Sequence, residues 1–153
     1  MGEVLCLARS LGSGVVASGK GRIATILLIV DRLFLTLGAG SAFLAVAAGA
    51  FGAHALRAKL SADMLQVFQT GVTYQMYHAL GLFAVGILLS RFSVDGSVWL
   101  TASGWLFVAG TLLFSGSLYA LSLSGVSWLG AITPLGGVAF LLGWLSLGIG
   151  LWR

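Results

Sequence analysis

Charge is what this sequence most lacks: eight Lys or Arg and four Asp or Glu make up 8% of its 153 residues, against about 25% in an ordinary soluble domain. So few ionised side chains cannot cover the surface of a water-soluble fold of this length, and 59% of the residues are apolar. A soluble globular domain is therefore excluded, and lipid must cover most of the surface. The net charge of +4 is scattered in ones and twos, with no stripe to follow a phosphate backbone, which excludes a nucleic-acid surface. The basic residues read instead as span-flanking anchors facing lipid head groups. A single cysteine, Cys6, excludes an intramolecular disulfide. No Walker loop, dinucleotide fingerprint or metal-spacing motif is present.

What is there is a series of long apolar runs. A helix crosses about 30 Å of hydrocarbon with about 20 residues. Uncharged stretches run from Leu33 to Ala53, from Met64 to Ser90, and from Gly96 to Trp152. The last suits two spans, broken between Ser122 and Thr133, near the only proline. Thr133-Pro134 reads as an N-cap followed by proline at the first helical position. The spacing predicts an all-α membrane protein, a four-transmembrane-helix bundle with spans at about 33–53, 74–90, 98–121 and 134–152. Trp99, Trp128 and Trp152 fall where an interfacial aromatic belt would put them, and Trp105 and Trp144 fall deeper.

Between the first two spans, Ser61 is a candidate N-cap with Asp63 in the first turn, and Leu60, Met64, Val67 and Phe68 recur at helical spacing. This predicts a short amphipathic interfacial helix, or else a plain helical extension of span two. Residues 1–31 read as a weakly ordered cytoplasmic leader, because the apolar run Ile23–Val30 is too short to cross and carries no signal-peptide cleavage site. With four spans, Lys20, Arg22, Arg32, Arg91 and Arg153 share one side and Arg57 and Lys59 the other, which makes both termini cytoplasmic.

In lipid, helices associate through close backbone approach and polar contacts. Gly38, Ala42, Ala45 and Gly49 form a smooth face on span one, and Gly116, Gly136, Gly137 and Gly143 are candidate packing positions on spans three and four. The face on span one could serve the bundle interior or pair two copies. No Asp, Glu, Lys or Arg falls inside a span, which argues against a charged ion pathway or proton relay. The polar constellation that remains is His54, Tyr74, Gln75, Tyr77 and His78, with the two histidines expected at one membrane face, in reach of each other. They could act as a metal or haem pair or as a pH-sensitive pair. The plainer expectation is that each bonds a backbone carbonyl or a tyrosine, since two ligands without a nearby Cys or carboxylate make a poor metal site. Ser115, Ser117, Tyr119 and Thr133 are further hydroxyl candidates, with no base placed to activate a serine.

Four segments carry a resemblance: 49–56 (GAFGAHAL), 68–80 (FQTGVTYQMYHAL), 114–119 (FSGSLY) and 129–137 (LGAITPLGG), the last followed by Phe140, Gly143 and Trp144. In this order they resemble the DUF423 family of small bacterial membrane proteins, which is related to transmembrane protein 256. The likeness runs from about Arg32 to the C-terminus, so residues 1–30 fall outside it, as a leader or an upstream start would. It implies a four-span protein of the bacterial inner membrane and supplies no catalytic residue.

The expectation is therefore a non-enzymatic accessory or structural subunit, without catalytic residue, metal or cofactor. Its partners would be the bilayer and either a larger membrane complex or further copies of itself. The alternatives are an oligomeric transporter of small solutes or lipids, and a His-ligated metal or haem protein.

Overall fold

A computed structural model describes residues 29–91 and 94–152, with side chains at 92–96 left aside. Four helices there are long and apolar enough to cross a membrane. Helix α1 is Ile29–Leu56, ending in a wide π turn at Gly52–Leu56. Helix α2 is Ala62–Arg91. Helix α3 (94–124) runs through Val94–Gly110, a second π turn at Thr111–Ser115, and Gly116–Ser124. A short 3-10 turn, Ser127–Ala131, leads into α4, Thr133–Trp152. The four-span expectation stands; α1, α3 and α4 extend up to four residues beyond the expected span ends, and α2 begins twelve residues before its expected start. The leader reading lies outside the described residues except for residues 29–31, which are helical.

Of the two readings of the segment after Ser61, the separate interfacial helix is corrected and the plain helical extension holds: the segment is the first part of α2, which runs 30 residues without a break. The physical reason is that its apolar face has protein to cover it. Phe68 is buried with its ring centroid 4.8 Å from that of Tyr119 on α3. A Cβ added at Gly71 would stand 2.9 Å from the Tyr119 ring. Ser61 does cap the helix, accepting a bond from the Met64 N–H at 3.3 Å.

The turns between helices use local chemistry. Helix α3 ends at Gly125, whose φ of 70° is the left-handed conformation a glycine C-cap favours, with its N–H bonded to the Leu121 carbonyl. Thr133, expected to cap α4, is its first residue and turns its hydroxyl to Ser117 of α3 at 2.8 Å.

Helix α1 packs on α2 and α3, and α4 on a different face of α3. A Cβ at Gly38 would stand 3.0 Å from the Ala79 carbonyl oxygen, and one at Gly104 would enter the Phe34 ring. On the α4 side, Gly110 lies against Phe140, Gly136 against the Phe114 backbone and Gly143 against Phe107. Each large ring thus fills the notch opposite a glycine, the close packing that membrane helices need. The core formed is Phe34, Leu82, Val85, Leu89, Leu100, Phe107, Phe140 and Leu147.

Candidate functional site

The buried polar groups of the bundle centre on α2. Gln75, 7% exposed, donates from Nε2 to the Ser41 carbonyl of α1 at 3.0 Å and accepts from the Tyr119 hydroxyl of α3 at 2.8 Å. One amide thereby ties three helices and has both of its ends satisfied. Three residues further on, His78 is 4% exposed. Its Nδ1 lies 2.7 Å from the Tyr74 carbonyl oxygen, and its Nε2 lies 3.2 Å from Trp144 Nε1 of α4. An indole N–H only donates, so Nε2 carries the lone pair and the ring proton sits on Nδ1, donated to Tyr74. The imidazole stacks on Phe140 at a centroid distance of 3.3 Å, and Phe107 closes its other surroundings at 5.3 Å.

This geometry corrects the histidine pair. His78 comes sixteen residues after the start of α2 at Ala62, about 24 Å along the axis, so it lies within the span. His54 sits exposed in the π turn that ends α1. The two therefore stand at different heights along the bundle, because the polar run 66–75, read as lying outside the hydrocarbon, is part of one continuous helix that carries His78 away from the α1–α2 turn. Tyr74, Gln75 and His78 do come together, on one stretch of α2. Tyr77, 58% exposed, faces outward beside them.

Against this cluster a groove of about 740 Å³ opens between α2 and α4, with Tyr74, Tyr77, His78, Phe114, Pro134 and Trp144 among its walls. Of the expected packing positions, Gly38, Ala45, Gly136 and Gly143 are buried, Ala42, Gly49 and Gly137 are half-buried, and a Cβ at Gly116 would meet nothing. The close approaches at Gly71, Gly81, Gly86 and Gly150 were missed. Gly71, Gln75, Ala79, Leu82 and Gly86 recur every three or four residues and are all buried, a stripe that could have been found by admitting one glutamine into it.

Among the described residues no group of three or more His, Cys, Asp or Glu could hold a metal, and His78 would have to give up Trp144 to offer Nε2 to one. Ser117 bonds the Phe114 carbonyl and Thr133, with no histidine in that network. Replacing His78 with Leu strands the Trp144 N–H, and we expect a loss of about 1–3 kcal/mol. Adding Trp144→Phe should cost less than the two single losses combined, which a double-mutant cycle of detergent melting would register. Equimolar Zn²⁺ or haem should leave the melting midpoint and visible absorbance of the purified protein unchanged.

Comparison with known proteins agrees with this architecture. The DUF423 family pattern, described as a protein of unknown function, matches residues 48–137. The UPF0382 membrane protein YwdK of Bacillus subtilis is 57% identical over 116 residues, covering 76% of this chain and 93% of the relative. A UPF0382 membrane protein of Staphylococcus saprophyticus is 50% identical over 122 residues, covering 80% and 98%. No solved structure matches. The matched span takes in Gln75, His78 and Tyr119, the π turn of α3 and the start of α4, and the relatives cover most of their own length: this chain belongs to the DUF423 family of multi-pass membrane proteins.

Proposed function

We propose that the protein is a non-enzymatic accessory or structural subunit of the bacterial cytoplasmic membrane, with both termini in the cytoplasm, acting by packing against another integral membrane protein. The observation that carries this reading is that the polar groups of the α2 centre are spent on one another: Gln75 on Ser41 and Tyr119, His78 on Tyr74 and Trp144. They hold helices in place and offer no activated group to a substrate. What remains for interaction is the outer face, where the α2–α4 groove presents aromatic rings and the small surface of Gly137 to an apolar helix. The orientation is supported by Arg32 and Arg91 on one side and Arg57 and Lys59 on the other.

The test is photo-crosslinking in native membranes. A benzophenone side chain at Leu141, 72% exposed on the groove, should capture a discrete membrane protein, and one at Phe43, 73% exposed on α1, should not. Capture of lipid alone at Leu141, with a partner-free species in mild detergent, would refute the subunit reading.

A further inference from the structure

The concave surface of α4 does not end with the α2–α4 groove. A second groove of about 740 Å³ lies beside the other half of the helix, with Trp99, Trp144, Gly148 and Trp152 among its walls. Trp144 is a wall of both grooves, and its N–H is tied to His78 Nε2 at 3.2 Å. Along α4 the two grooves are lined by Pro134, Gly137, Leu141, Trp144, Gly148 and Trp152, with others beside them. Steps of three and four residues put these positions on one face of the helix. That face runs eighteen residues from Pro134 to Trp152, about 27 Å along the axis.

Its length decides between two kinds of occupant. The hydrocarbon layer is about 30 Å thick, so the acyl chains of one lipid cover about half of such a face. A transmembrane helix follows all of it, and steps of three and four are the seam along which one helix packs on another. A second observation narrows the chemistry of that helix. Tyr74 and Tyr77 are both exposed and both line the α2–α4 groove. Neither hydroxyl has a hydrogen-bond partner among the described residues, whereas the third tyrosine, Tyr119, gives its own to Gln75. A phenol left unpaired beside hydrocarbon is costly, and a polar side chain on a neighbouring helix supplies the missing partner. No exposed residue of α4 carries a side-chain acceptor, so pairing α4 with the α4 of a second copy would leave both phenols unmet.

Building on the subunit reading, we infer that the partner lays one transmembrane helix along this face through both leaflets, with a Ser, Thr, Asn or Gln side-chain oxygen accepting a hydrogen bond from Tyr74 or Tyr77. Trp144 stands near the middle of that path, ten residues from Pro134 and eight from Trp152. The bond from Trp144 to His78 thereby gains an outward role: it fixes the ring against which the partner helix must fit.

Benzophenone side chains would be placed singly in the full chain at Val138, exposed on the first groove, and at Leu145, exposed on the second, two helical turns away. After photolysis in native membranes, peptide mapping should place both adducts on one transmembrane segment of one other protein, roughly seven residues apart. Capture at one position, with only lipid or a different segment at the other, overturns the inference and leaves the subunit reading standing. Lipid alone at both positions overturns both, and a second copy of this chain at both overturns the inference in favour of self-pairing. The Tyr74→Phe, Tyr77→Phe double variant should cut the fraction of partner retained in mild detergent by about fivefold. Its melting midpoint without the partner should match that of the unsubstituted protein, since no hydrogen bond within the chain is lost. Unchanged retention of the partner by the double variant also overturns the inference.

Discussion

Gly136→Leu is expected to be the most damaging single substitution in the described part of the chain. Any Cβ at this position would collide with the Phe114 backbone nitrogen and stand 2.8 Å from its Cα. A clash with a side chain can be relieved by a rotamer change, but one with backbone requires α4 to move off α3. The contacts at stake include those of Gly143 with Phe107 and of Gly150 with Leu100. The expected loss lies at or above the top of the roughly 1–3 kcal/mol typical of overpacking. It should appear as a large fall in detergent melting midpoint and in membrane yield. Gly148→Leu on the same helix is the control. Nothing lies within 4 Å of a Cβ there and the position is exposed, so its effect should stay within about 0.5 kcal/mol.

Gln75→Leu is also expected to be costly, for a different reason. Leucine fills similar space but offers neither the donor that Ser41's carbonyl accepts nor the acceptor for the Tyr119 hydroxyl. Interhelical hydrogen bonds in membrane bundles average about 0.6 kcal/mol each, and the stranded phenol adds its own cost, so about 1–2 kcal/mol should be lost. Tyr119→Phe in the Gln75→Leu background should cost little further, because the unsatisfied hydroxyl is then gone. A double-mutant cycle on melting should therefore report a coupling of several tenths of a kcal/mol or more. Additive losses would mean that the two residues do not share a bond.

The number of spans was legible because hydrocarbon thickness translates directly into a count of apolar residues. Leu33–Ala53 and the break before Pro134 could be read from composition. The N-cap of α2 at Ser61 was read too, but not that the helix runs unbroken from it. Gln66, Gln69, Thr70, Thr73 and Gln75 look like water-facing residues in a linear reading, yet Gln75 belongs inside because Ser41 and Tyr119 meet it from two other helices. Such pairing is long-range and leaves no local trace. The same error displaced His78 towards the membrane surface and placed it beside His54. The small face of α1 was visible because its period is unbroken from Gly38 to Gly49. On α2 the equivalent stripe is interrupted by Gln75 and Leu82 and was passed over. Trp144 was assigned to helix packing by its depth, but only the fold shows that its N–H chooses the tautomer of His78.

Labelling of single cysteines in a Cys6→Ser background tests the four-crossing architecture most directly. Cysteines at Lys59, in the α1–α2 turn, and at Ser127, in the α3–α4 turn, should react with a membrane-impermeant maleimide in intact cells. A cysteine at Arg91, at the far end of α2, should react only after permeabilisation. Labelling of Lys59 and Arg91 from the same side, or release of the chain from membranes by alkaline carbonate, would contradict it.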